Sequence, residues 1–142
     1  MLKQISIFVE NRPGRLAEIT KTISDNNIDI RALSIADTTN FGILRLIVND
    51  PDKAERVLKE AGYTVSMTDV IAAGVEDIPG GLTGALNALN DKGISVEYMY
   101  AFIGTPHKEA FVILRVEDIP KAEKVLMEGG IDLLRPEEVY TI

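Results

Sequence analysis

Apolar positions switch between two periods along the chain, and the switches mark its elements. Ile5, Ile7 and Val9 alternate around Ser6 as a strand requires, whereas Leu16, Ile19 and Ile23 recur at helical spacing. Asn26-Asn27 ends that helix with residues that tolerate the left-handed conformation, and strands are predicted over 29–37 and 42–48. Asp50-Pro51 reads as an N-cap followed by proline in the first turn, with Ala54, Val57, Leu58 and Ala61 as the buried stripe and Gly62 as the stop. A fourth strand is predicted over 63–70. Strand, helix, strand, strand, helix, strand is the ferredoxin-like βαββαβ order, an α+β fold with an antiparallel sheet and both helices on one face.

The pattern then repeats. Displaced by 66 positions, Ile5, Val9, Glu10, Pro13, Gly14, Leu16, Asp25 and Ile28 meet Ile71, Val75, Glu76, Pro79, Gly80, Leu82, Asp91 and Ile94. Displaced by 68, Leu46, Val48, Asp50, Lys53, Ala54, Glu55, Val57, Leu58, Glu60 and Gly62 meet Leu114, Val116, Asp118, Lys121, Ala122, Glu123, Val125, Leu126, Glu128 and Gly130. The change of displacement places two extra residues in the second copy's middle turn, around Thr105-Pro106-His107. Solenoid and propeller units run about 20 to 50 residues, so a repeat of this length is a duplicated domain, predicted as 1–68 and 69–142. The runs Phe111-Val112-Ile113-Leu114 and Leu46-Ile47-Val48 are continuous rather than alternating, which implies burial on both faces of the sheet. Two helices cover one face; a second sheet, from the other repeat or another chain, is expected to cover part of the other.

Composition narrows the chemistry. The 142 residues hold 46% apolar side chains, no Cys and one His, His107, so thiolate catalysis, cysteine metal sites and multi-His metal centres are excluded and no metal or cofactor is expected. Two units of this size gain buried area by packing together, because pieces of about 60 residues bury only about 60% of their unfolded surface. The net charge of −7 is uneven: residues 1–68 hold 9 basic and 9 acidic side chains, and the remainder 6 and 13. That balance disfavours nucleic acid and anionic membrane surfaces. With no cationic leader and no apolar run long enough for a span, cytoplasm is the expected compartment.

The two copies share their first loop most pointedly: Asn11-Arg12-Pro13-Gly14-Arg15-Leu16 and Asp77-Ile78-Pro79-Gly80-Gly81-Leu82. Pro presets φ for a helix start and Gly lets another molecule approach the backbone. First-turn N–H groups at the positive end of a helix dipole then form a seat for a carboxylate. Asn11 or Asp77 is placed to cap the helix or to accept from an ammonium group. An α-amino acid needs both, although polar-X-Pro-Gly also serves as a plain helix-start turn. Arg15 opposes the helix dipole, so either it faces an anion or a partner, or it is simply solvated. Gly81 replaces it in the second copy, and the two loops are expected to bind unequally.

A strand-Asn-Arg-Pro-Gly-X-Leu-helix sequence in a duplicated βαββαβ unit resembles the ACT domain, a small regulatory module of amino-acid metabolism, over essentially the whole chain as two tandem repeats with no catalytic domain. The resemblance implies that sheets pair side by side. It further implies an amino-acid effector at the junction, between the first loop of one module and the start of its neighbour's second strand. The ligand loop then falls on Asn11 to Leu16 and the strand position on Asp29, flanked by Ile28 and Ile30. In the second repeat they fall on Asp77 to Leu82 and on Ser95, between Ile94 and Val96. The best site is expected to join Asn11–Leu16 to residues around Ser95 or to Asp29 of a second copy. Ile28, Ile30, Ile94 and Val96 point to an apolar wall suited to branched or aromatic ligands, while Arg15 and Asp29 point equally to a polar one.

Other chemistries fit less well. Tyr98, Tyr100 and Phe102 share one face of a strand, but base-stacking modules of this fold use the first and third strands, so these aromatics are expected in the sheet core or against a partner sheet. His107 has no triad partners, Glu117-Asp118 and Glu137-Glu138 suit caps or surface, and no phosphate-binding fingerprint occurs. The chain is therefore expected not to be an enzyme. It is expected to be a regulatory sensor that binds a free amino acid, forms a homodimer, and modulates its own assembly or a partner enzyme. The alternative is a structural interaction subunit without a small ligand.

Overall fold

The computed structural model describes residues 1–37, 40–102 and 109–140; the expected insertion around Thr105-Pro106-His107 lies outside the described residues. The chain divides at Thr68/Asp69 into two compact units, Lys3–Thr68 with Tyr140, and Asp69–Val139 with Met1–Leu2.

In the first unit the elements are β1 (Leu2–Glu10), α1 (Arg15–Asp25), β2 (Ile30–Asp37), β3 (Phe41–Val48), α2 (Pro51–Glu60) and the opening residues of β4 (Thr64–Glu76). The sheet order is β2-β3-β1-β4, with β1–β3 and β3–β2 antiparallel. Ile5 and Leu33 both stand opposite Leu46, and Ile7 and Ile35 opposite Leu44, so these side chains share the helix-facing side. There Ile5, Ile7, Val9, Leu44, Leu46 and Val48 meet Ile19 and Ile23 of α1 and Ala54, Val57 and Leu58 of α2. The helix stops and starts obey local chemistry: Asn27 turns left-handed at φ 58°, and Asp50 accepts the Lys53 N–H at 3.2 Å as the N-cap of α2.

The second unit repeats the plan with α3 (Gly81–Asp91), β5 (Tyr98–Ala101), β6 (Glu109–Arg115) and α4 (Ile119–Glu128), followed by β7 (Asp132–Leu133) and α5 (Pro136–Tyr140). Its order is β5-β6-β4-β7. Ile71, Ala73, Val75, Val112 and Leu114 pack against Ala85, Leu89, Ala122 and Leu126. Gly93 takes the role of Asn27 at φ 71°, and Asp118 caps α4 by accepting from Lys121 at 3.1 Å.

Four details differ from the pattern-based expectation. The strand predicted to end at Val70 runs on to Glu76 as one 13-residue strand, β4, because no Gly, Pro or Asn interrupts the stretch before Gly74. The last strand of the second repeat shrinks to two residues, since Arg135-Pro136 ends pairing and starts α5, where Val139 is fully buried. The tyrosines of β5 are half-buried; its core residue is Met99, because Tyr98 and Tyr100 alternate to the other face, while Phe102, just past the strand, lies 5.9 Å from the Phe111 ring. The strands that should carry Asp29 and Ser95 begin later, at Ile30 and Tyr98. The continuous apolar runs do mark two-sided burial. Ile47, Ala32, Ile113 and Ala72 are at most 2% exposed yet belong to neither helix-facing cluster.

Candidate functional site

The Asn11–Leu16 loop carries β1 over into α1, and its geometry is set by Gly14. Gly14 is the N-cap of α1 at φ 83° and ψ −10°, with no side chain capping the first turn. A residue with a Cβ pays about 1–2 kcal/mol for that conformation, so glycine is required by the backbone as well as by access. Pro13 therefore does not open the helix, and Asn11 does not cap it. Pro13 lies in the turn ahead of the N-cap, where the Arg15 N–H donates to the Arg12 carbonyl at 3.3 Å, and the Asn11 N–H donates to Asn40 at 3.1 Å. The open helix end remains. The Glu18 N–H donates to the Gly14 carbonyl at 3.0 Å, and among the described residues no acceptor meets the amides of Leu16 and Ala17. Asn11, Arg12, Pro13, Gly14, Leu16 and Ala17 line an open cleft of about 470 Å³ at this end.

The charged members of the site are all engaged locally. Arg12 donates from Nε to Glu10 at 3.2 Å. Arg15 donates to Glu18 at 3.0 Å, and its guanidinium lies 4.7 Å from the centre of the Tyr63 ring. This settles why a cation sits in the first turn against the dipole: a carboxylate at i+3 and an aromatic face hold it. Sequence reasoning missed Tyr63, whose 48-residue separation from Arg15 leaves no local trace; the Glu18 partner was readable as an (i, i+3) pair. Asp29 is exposed ahead of β2, its carboxylate 3.2 Å from Arg31, and its N–H donates to the Asn49 side chain at 2.9 Å.

Ile28, Asp29 and Ile30 line a second cleft with Thr20, Lys21 and Ser24 of α1, distinct from the loop cleft although Ala17 borders both. Within one repeat, then, the loop and the strand position are not one site. The anticipated apolar wall is also largely internal. Ile28 is 5% exposed within the first core, and Ile30, Ile94 and Val96 pack against the cores of their own repeats, because each follows a helix stop that turns it inward.

The second loop repeats the backbone but not the environment. Gly80 is the N-cap of α3 at φ 89°, and the Gly81 N–H donates to Ile78 at 3.0 Å. Gly81 replaces Arg15 for a steric reason: a Cβ there would overlap the carbonyl oxygen of Glu76. Asp77 provides no side-chain cap, and Ile78 is exposed. Beside this helix end Gly80, Gly81 and Gly84 line a cleft with Glu76, Glu109 and Asp132. Glu109 is held above the usual carboxylate range, chiefly because its protonated form hydrogen-bonds Asp132, with desolvation and the charges of Asp132 and Glu76 adding to the effect. A ligand carboxylate there would meet negative charge. Ser95 is exposed, three residues before β5. A larger cleft of about 660 Å³ lies in the second unit between Leu2, Ile71, Ile119, Met127 and Leu133 and contains none of the predicted site residues. Among the described residues no group of three or more His, Cys, Asp or Glu is arranged to hold a metal, and no helix is long and apolar enough to cross a membrane.

A crystal structure of a protein from Bacteroides thetaiotaomicron is similar at 41% identity and TM-score 0.92, covering 99% of this chain and 96% of that one. The regulatory subunits of aspartate kinase from Thermus thermophilus and Thermus flavus share the fold at TM-scores of 0.66 and 0.65, with 14% and 13% identity. The matches cover 89% and 90% of this chain and 91% and 90% of theirs. No protein of curated function matches the sequence. A family model described as an ACT domain pair matches residues 1–142, and the chain belongs to that family.

Proposed function

We propose that the protein is a non-catalytic regulatory module that binds a free amino acid at the first-repeat loop and uses occupancy to bias its own association or a partner enzyme of amino-acid metabolism. The observation that carries this is the glycine-capped N-terminus of α1, open at Leu16 and Ala17, in a chain that is an ACT domain pair throughout. The fold shared with aspartate kinase regulatory subunits supports regulation rather than catalysis.

In this mechanism the ligand carboxylate accepts from the Leu16 and Ala17 amides, where the helix dipole favours an anion. The ammonium group donates to the Asn11 side chain and to the Asp29 carboxylate of a second copy, which keeps lone pairs beyond its bond to Arg31. Because loop and Asp29 occupy separate clefts of one repeat, a ligand that needs both favours the associated state in proportion to its differential affinity. The second loop takes no amino acid, since Glu76, Glu109 and Asp132 surround its helix end.

Thermal denaturation against a panel of amino acids tests this. A ligand at about 100 times its dissociation constant stabilises by roughly 2.7 kcal/mol, so the binder raises the melting temperature. Ala17→Glu places a helix-compatible carboxylate on the same amides; it is expected to abolish that rise without lowering intrinsic stability. A panel with no response would favour the interaction-subunit alternative, and an unchanged response in Ala17→Glu would remove the loop from the site.

A further inference from the structure

The two repeats diverge at their last strand, and a cleft opens where they do. At the displacement of 68, Tyr63, Val65 and Met67 correspond to Ile131, Leu133 and Arg135. The first three all pack against the first core, and Ile131 and Leu133 pack against the second. Pairing then ends with the Leu134 N–H, which donates to the Ala72 carbonyl at 2.9 Å, and Arg135 turns outward to Glu138 at 3.3 Å and Glu137 at 3.7 Å. With no apolar side chain to match Met67, a cleft of about 660 Å³ remains, lined by Val70, Ile71, Ile119 and Leu133. Its size is that of a small-molecule site.

Helix α4 brings to this cleft a charge that has lost its partner. In the first repeat Glu55 pairs with Lys59, one turn later in α2, at 3.5 Å. Their counterparts are Glu123 and Met127, so the carboxylate is kept while the cation gives way to a methionine that is 65% exposed. Both line the cleft, and among the described residues nothing hydrogen-bonds or ion-pairs with Glu123. Asp132 adds a second carboxylate, and Arg135 is neutralised by its two glutamates, so a negative rim surrounds apolar walls. That combination complements a cation carrying an apolar body: the charge meets the carboxylates, and burial of the body covers Met127, whose unbranched thioether adapts to varied shapes.

We propose that this cleft of the second repeat binds a small amphipathic amine, its ammonium group on Glu123 and its apolar body against Ile119, Met127 and Leu133. The cleft shares no residue with the first-repeat loop, so this stands apart from the amino-acid site. Amide NMR titration of the full chain tests it, with hexylamine, hexanol and hexanoate as one body bearing three head groups. Hexylamine is expected to move the amides of α4 and β7 and to bind roughly tenfold more tightly than hexanol, with hexanoate weaker still. Butylamine, shorter by two methylenes, is expected to bind roughly tenfold less tightly than hexylamine. Glu123→Gln keeps the shape and removes the charge, and should bring hexylamine down to the level of hexanol. Met127→Lys rebuilds the (i, i+4) pair of the first repeat and should weaken hexylamine roughly tenfold, whereas Met127→Leu should change it less than about threefold. These side chains are all good helix formers, so α4 tolerates them. Hexylamine that binds no better than hexanol, that keeps its affinity in Glu123→Gln or in Met127→Lys, or that leaves the α4 amides unmoved would overturn the assignment.

Discussion

Gly81 and Gly84 sit three residues apart in the same helix, and their replacement by alanine should have opposite effects. Alanine is the better helix former by about 0.8–1.0 kcal/mol. At Gly84 a Cβ would meet nothing within 4 Å, so Gly84→Ala should stabilise by roughly 0.5–1 kcal/mol. At Gly81 the added methyl would occupy the space of the Glu76 carbonyl oxygen, a backbone atom that moves only if the end of β4 moves. Overpacking of this kind costs about 1–3 kcal/mol, which offsets or exceeds the propensity gain, and a net loss of up to about 2 kcal/mol is expected. Urea denaturation of the two variants beside the parent protein reads both values. The first repeat makes this a demanding test, because the equivalent position holds Arg15, and alignment of the copies would suggest that any side chain fits. Gly81→Ala as stable as the parent, or as stable as Gly84→Ala, would refute the claim that the Glu76 carbonyl leaves no room for a side chain at this position.

Two further outcomes follow from the charged groups. A double-mutant cycle on Arg15→Met and Tyr63→Leu, read by thermal denaturation, should give a coupling of about 0.5–1 kcal/mol for the cation over the ring, and a coupling near zero would return Arg15 to solvent. Glu109 has a folded-state pKa above its ordinary 4.5, so the folded protein binds its proton more tightly than the unfolded chain does. Stability from this group is present at acid pH and falls as pH rises from about 4.5 through the raised value. Glu109→Gln keeps a donor toward Asp132 without the charge; it should flatten that fall and stabilise at pH 7 by less than about 1 kcal/mol, and an unchanged pH profile between 4 and 7 would count against the pairing.

Most of the fold was legible because its determinants are local. Periods of 2 and 3.6, the caps at Asp50 and Asp118, the stops at Asn27 and Gly93 and the displacement of 66 to 68 residues all act within a turn or two of chain. The site was legible only in outline. The sequence placed the loop at a helix start in both copies, but a Pro-Gly turn leaves two places for the N-cap, and the positive φ of Gly14 decided between them. What Arg15 faces, why Gly81 replaces it, and why Glu109 titrates high depend on Tyr63, Glu76 and Asp132, brought in from other elements. By itself the sequence determined two ferredoxin-like repeats with a shared first loop, because hydrophobic periodicity and capping are short-range. Which loop stays open to an anion, and which charges are already spent, only the tertiary structure decided, because electrostatic pairing and close packing depend on distances that the chain order does not contain.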